Sequence, residues 1–271
     1  MSYILTVNIT DFSNHIQTTV WIRQKQARDK NMSPKKPIPT IKQQIISNRA
    51  ELDKCFDNFS SVKRINNLNW LRRQIAYEEP QILCPVPKTY FDYTSMSNIA
   101  TAYDYIMENT NQEISVDAIR HIHYMLCQNT NIDGFKFRTT NCKLNISVDG
   151  ILYNAPDSHF IEYNLAQIAY NINHSKHDIF TRAYDAHYEI IMLQPFDDFN
   201  KRTARLIMNW ILLKDGFRPI TFNKRGDKQS YIQAIVDRAN GDKRAYTEYM
   251  SQCQLRTQRE ILMQLRGSKI L

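Results

Sequence analysis

One stretch constrains this chain more than any other: Gln194-Pro195-Phe196-Asp197-Asp198-Phe199-Asn200-Lys201-Arg202-Thr203-Ala204-Arg205. Residues 183–193 before it and 206–213 after it are mainly apolar, so both read as helices that enter a core. Two acids, an Asn, a Lys and two Arg between buried helices need a task. The exposed N–H groups that open the outgoing helix carry about half a positive charge. Arg202 and Arg205 are three apart and share one face of that helix, and guanidinium forks match phosphate oxygens. Asn200 and Lys201 add an amide and a point charge. Asp198 is a hard oxygen ligand of the kind Mg²⁺ takes beside phosphates. Together these parts describe a site for a nucleotide polyphosphate. Spacing alone fits equally well a helix start laced with surface ion pairs.

A chain of 271 residues with only 6 Gly and many Leu, Ile, Tyr and Gln has few turn signals, which favours helices. The hydrophobic fraction of 42% and the charged fraction of 23% fit a globular domain of ordinary to large size, or one with a small companion. A formal charge of +8 favours an anionic partner. Nucleic acid is not expected, because no basic run is interleaved with aromatics. The five cysteines, Cys55, Cys84, Cys127, Cys142 and Cys253, are odd in number and widely spaced, so they read as small buried hydrophobes in a reducing compartment. The start of the chain shows no secretory signal, and no apolar stretch is long enough for a membrane span. The chain is read as cytoplasmic, with export to a host cell by a signal-independent route left open.

Along the chain, residues 2–9 could form a short strand or arm, and Pro34, Pro37 and Pro39 mark a linker. Ile41, Ile45, Ile46, Leu52, Phe56 and Phe59 recur at helical spacing, as one helix or two. A further helix is expected over 66–78, ending before Pro80; Pro80, Pro85 and Pro87 make the next linker. This divides the chain into an N-terminal arm and helical region, 1–90, and a core, 91–271. Within the core, Ser115 is a candidate N-cap. Residues 141–153, with Asp149-Gly150 in the middle, read as a β-hairpin. Ile161, Leu165, Ile168 and Ile172 line the next helix, its start capped by Asp157 or Ser158. Two last helices are expected over 229–239 and 246–265. His121 and His123 point to different faces of a helix, poor geometry for one metal ion.

The central stretch resembles the signature of the Fic family (Fic/Doc, Fido), His-Pro-Phe-x-Asp/Glu-Gly-Asn-Gly/Lys-Arg-x-x-Arg. Pro195, Phe196, Asp198, Asn200, Arg202 and Arg205 match, and Lys201 matches the Lys form typical of Doc toxins. The likeness extends to Asn98, Ala102, Tyr105 and Ile106, to Ile119, His123 and Leu126, to Gly134-Phe-Lys-Phe-Arg138-Thr139, to Ala155-Pro156, and to Tyr231-Ile-Gln-Ala234 followed by Gly241-Asp242. The resemblance implies a mostly α-helical core with a small β-hairpin flap, over which a protein target lies as an added strand at 141–153. It implies protein adenylyltransferase (AMPylation) chemistry with ATP and Mg²⁺ as cofactors. In that chemistry Asp198 holds the metal, Asn200, Lys201, Arg202 and Arg205 hold the phosphates, and Tyr231 lies near the base. A homo-oligomer is compatible with it.

Two positions depart from the family. Gln194 stands where the family has its catalytic His, and Phe199 stands where it has its first Gly. Gln can orient a hydroxyl but cannot take its proton at neutral pH. A bulky ring at 199 is expected to crowd the approach to the phosphates. The resemblance therefore implies a Fic-type transferase whose AMP transfer is weak or lost, with a catalytically dead target-binding module or a Doc-like kinase as the alternatives. His187 is the one nearby imidazole that could act in place of the missing base, although a structural role suits it better. Ser47-Asn-Arg-Ala-Glu51 is similar to the family's inhibitory helix, whose Glu pairs with the second Arg of the motif.

Overall fold

In a computed structural model, the structure describes residues 39–58, 60–76, 89–148, 151–222 and 227–267. The expected N-terminal strand or arm, the expected end of the 66–78 helix, the linker marked by Pro80, Pro85 and Pro87 with Cys84 beside it, and the hairpin turn at 149–150 lie outside them. The described elements, in order, are α1 (Ile41–Asp57), α2 (Ser61–Ala76), α3 (Tyr90–Glu108), α4 (Val116–Leu126), β1 (Lys143–Val148), β2 (Ile151–Asn154), a 3₁₀ turn (Ser158–Phe160), α5 (Ile161–His174), α6 (Ile179–Leu193), α7 (Asn200–Lys214), α8 (Asp227–Ala239) and α9 (Lys243–Gly267). This is the mostly helical fold with one small antiparallel hairpin that the sequence implied.

The core is built around α6 and α7. Residues 203–212 of α7 are all buried, so this helix is covered on every side, and the polar Thr203 and Asn209 bond within the core, to Phe199 O and to the Ile220 backbone. α4 and α3 pack on α7, α5 packs on α6, and α8 rests on α9. α1 lies along α9 and α2 along α3, and Ile45, Leu52, Leu71 and Ile75 join the same buried cluster. The four described cysteines form no disulfide with one another. Burial pushes the Cys127 thiol up to about 12, which suits a packing role.

Local chemistry explains the helix starts. Thr89 opens α3 with a capping box to Asp92, Ser115 accepts from the Ala118 N–H at α4, and Asp178 accepts from Phe180 and Thr181 at α6. The expected cap of α5 is corrected. Asp157 caps the 3₁₀ turn, accepting from the His159 N–H, and α5 itself begins after Phe160 without a side-chain cap. The second helix starts at Ser61, earlier than residue 66, and the first is a single helix.

Candidate active site

The loop 194–199 joins α6 to α7 and has a left-handed residue at each end. Gln194 (φ 47°, ψ 61°) closes α6, and Phe199 (φ 57°, ψ 12°) opens α7. Such a backbone costs a residue with a Cβ about 1 kcal/mol or more, so the surroundings must hold it.

At the α6 end the holding group is Arg138, which is 3% exposed. Its Nε donates to the Gln194 carbonyl (2.6 Å), Nη1 to Thr140 (2.8 Å), and Nη2 to Pro156 (2.5 Å) and Leu193 (3.3 Å). Its own N–H reaches the Pro195 carbonyl at 3.0 Å. One guanidinium thus ties both feet of the hairpin to the last turn of α6, where a cation also meets the negative end of the helix dipole. The Gln194 amide turns inward: Nε2 donates to Ile191 O (2.7 Å) and Oε1 accepts from Asn200 Nδ2 (3.2 Å).

Asn200 braces the loop. Its Oδ1 accepts from the Phe196 N–H (2.9 Å) and its Nδ2 donates to the Phe196 carbonyl (2.8 Å), while the side chain is 4% exposed. His123 supports the loop from α4. Its ring stacks on Phe196 at 3.7 Å, and its nitrogens meet Gly134 O (2.7 Å) and Asp198 O (3.1 Å). Burial lowers its pKa against the pull of those carbonyls. Gly134 is required here, since a Cβ would stand 2.5 Å from the Tyr124 Cα. His121, facing elsewhere, packs against Tyr105 and Tyr124.

At the α7 end a cavity of about 300 Å³ opens. Gln194, Asp197, Asp198, Phe199, Asn200, Lys201, Arg202, Arg205 and Tyr231 all line it, so every residue singled out for nucleotide, metal or catalysis converges there. Lys228 and Ile232 of α8 complete the wall and were missed by the sequence reading. Lys228 lies three residues before Tyr231, which was the available signal. Four cations, Lys201, Arg202, Arg205 and Lys228, face two exposed carboxylates, Asp197 and Asp198. Phe199 gives the first turn of α7 no side-chain oxygen. Its ring is 3% exposed and belongs to the core cluster, with the Arg202 guanidinium 4.3 Å from its centroid. The ring fills core volume beside His123, and the residue also borders the cavity.

His187 is fully buried, with Nδ1 2.7 Å from Tyr246 Oη and Nε2 2.8 Å from Tyr231 Oη. Burial, then Arg205 and Arg238, push its pKa well down. Both nitrogens are engaged, so it is not placed to replace the missing base. Glu51 pairs with Arg266 of α9 and does not line the cavity.

The Fic/DOC family model matches residues 113–212, which include α4, the hairpin, the loop and most of α7. Over these residues, less than half of its length, the chain is similar to that family. Among curated proteins it is 30% identical over 154 residues to the protein adenylyltransferase fic-1 of Caenorhabditis briggsae. That match covers 54% of this chain and 28% of the relative, so the chain spans under a third of its length. In fold it is similar to a Fic-domain signalling protein from Bacteroides thetaiotaomicron, with a TM-score of 0.69 at 15% identity over 84% of this chain and 97% of that one. It is also similar to IbpAFic2 covalently tethered to Cdc42, with a TM-score of 0.50 at 16% identity over 82% and 71% of the two chains.

Proposed function

We propose that this chain binds a nucleoside triphosphate, ATP with Mg²⁺, in the cavity at the start of α7, and that it is a Fic-type protein adenylyltransferase whose AMP transfer is weak or lost. The observation that carries this is the convergence of Lys201, Arg202, Arg205 and Lys228 on one cavity at an uncapped helix N-terminus. A net excess of cations there favours a polyanion. The volume lies at the lower end of the range for small-molecule sites. The adenylyltransferase name of its relative supports the transferred group.

The donor set fits magnesium carried in with phosphates. Asp198 is exposed on the cavity rim, and its Oδ1 accepts from the Phe199 N–H at 2.6 Å, which aims the carboxylate. Among the described residues no cluster of three or more His, Cys, Asp or Glu forms a protein-only cage. One carboxylate with phosphate oxygens and water is the usual Mg²⁺ arrangement. The ion would supply charge neutralisation between phosphates. The chain's own residues do the rest: Arg202 and Arg205 hold phosphate oxygens, Asn200 fixes the loop, and Gln194 offers no base. The hairpin of β1 and β2 would hold the target as an added strand; the Fic structure tethered to Cdc42 supports a protein as the class of target. A catalytically dead target-binding module is the second reading, and the inward-turned Gln194 amide favours it.

Calorimetric titration with ATP and Mg²⁺ tests the binding step. Wild-type protein is expected to bind, and Arg202→Ala to bind at least about tenfold more weakly, since a charge-assisted hydrogen bond is worth roughly 1.5–3 kcal/mol. No binding by the wild type, or equal binding by the variant, overturns the proposal.

A further inference from the structure

The interior wall of the cavity is set by a chain of hydrogen bonds whose direction can be read from its far end. Tyr246 Oη lies 3.0 Å from the Tyr184 carbonyl, which can only accept, so Tyr246 donates its single proton there. Its oxygen is left as an acceptor towards His187 Nδ1 at 2.7 Å, and Nδ1 must carry the proton. The imidazole is fully buried with the cations Arg205 of α7 and Arg238 of α8 acting on it, which keeps it neutral. Nε2 is then a bare acceptor, and Tyr231 Oη, 2.8 Å away, donates to it. Tyr231 is 2% exposed, lines the cavity, and presents its ring to the Arg205 guanidinium at 5.8 Å.

We propose that His187 is a positioning residue: in its neutral Nδ1–H form it anchors the Tyr231 hydroxyl inside the core, so that the Tyr231 ring stays as a fixed wall beside Arg205. The relay runs from Tyr231 through His187 and Tyr246 to a backbone carbonyl. It ends on no carboxylate, so nothing at its far end stabilises an imidazolium, in contrast to a Ser-His-Asp triad. It therefore holds geometry and does not drain protons. A buried tyrosine hydroxyl needs such a partner, and α6 supplies it from the helix that also ends in Gln194.

This inference rests on the nucleotide reading for its effect on affinity, but not for the relay itself, and two measurements separate them. Nitrogen NMR of the histidine ring reads the tautomer in the wild-type protein. The expected result is a proton on Nδ1, none on Nε2, and no titration of His187 between about pH 5 and 8. Titration with ATP and Mg²⁺ reads the wall. Tyr231→Phe, which keeps the ring but loses the donor, and His187→Leu, which offers no partner, are each expected to weaken binding about tenfold. His187→Gln carries one acceptor and one donor and is expected to restore most of that affinity. A proton on Nε2, titration in that range, or unchanged affinity in Tyr231→Phe and His187→Leu overturns the proposal. If the wild type binds no nucleotide, the nucleotide reading falls, and the ring nitrogens alone decide the relay. If His187→Leu does not fold, Tyr231→Phe and the wild-type tautomer decide it.

Discussion

The two ends of the 194–199 loop are both left-handed and are held in opposite ways. At Gln194 the polar groups are consumed by the protein: the carbonyl and side-chain amide bond to Arg138, Ile191 and Asn200. At Phe199 the ring is buried, and the charged groups that follow, Lys201, Arg202 and Arg205, line a cavity with Lys228. At one end the polar groups serve the loop itself, and at the other the charged groups border open space. The difference teaches that two left-handed joints of one loop can be held by unlike means, hydrogen bonds to Arg138 at one and a buried ring at the other.

The largest effect expected from breaking this contrast is at Arg138. Arg138→Met strips four carbonyls of their donor and is expected to destabilise the fold by about 3 kcal/mol or more, read by urea unfolding. Arg138→Lys should recover only part of this, because a single ammonium cannot fork between the hairpin feet and α6. Equal stability of the Lys variant and the wild type would mean that the joint lies elsewhere.

Phe199→Gly is the next test. Removing a buried ring costs roughly 3–5 kcal/mol, and relief of the left-handed backbone returns about 1–2 kcal/mol. A net loss of about 2 kcal/mol is expected by thermal or urea unfolding. A gain in stability would show that the ring is a strained intruder and not a core side chain.

The smallest effect is in pH dependence. His187 stays neutral in the folded protein, while in the unfolded chain it titrates near pH 6.5. Below that pH the unfolded chain takes up a proton that the fold refuses, so stability falls with falling pH, on the order of 1 kcal/mol per pH unit. Above it the effect vanishes. His123, also lowered, acts in the same direction. His187→Gln should flatten the slope below pH 6.5 by about one proton. An unchanged slope would place a charged His187 in the fold.

Apolar periodicity made most helices legible, and Asp198, Asn200, Lys201, Arg202 and Arg205, all named from the central motif, line one cavity. What stayed hidden depends on partners that leave no side-chain pattern. Arg138 bonds backbone carbonyls at 140, 156, 193 and 194, which any residue would offer. The relay joins His187 to Tyr231 and Tyr246, 44 and 59 residues away. Asp157 was misplaced as the cap of α5 because a short 3₁₀ turn intervenes between it and that helix. The bulk of Phe199 was plain in the sequence; that its ring turns into the core was not.

Transfer of radiolabelled AMP from ATP, to the protein itself or to proteins of a cell lysate, tests the division of the loop most directly. The wild type, with Gln194 at the joint, is expected to give little or no label. Gln194→His, and more so its combination with Phe199→Gly if that variant remains folded, is expected to label, because an imidazole with a pKa near 6.5 can take the hydroxyl proton. Robust labelling by the unmodified chain would contradict the division, since it would require a base that the Gln194 end does not contain.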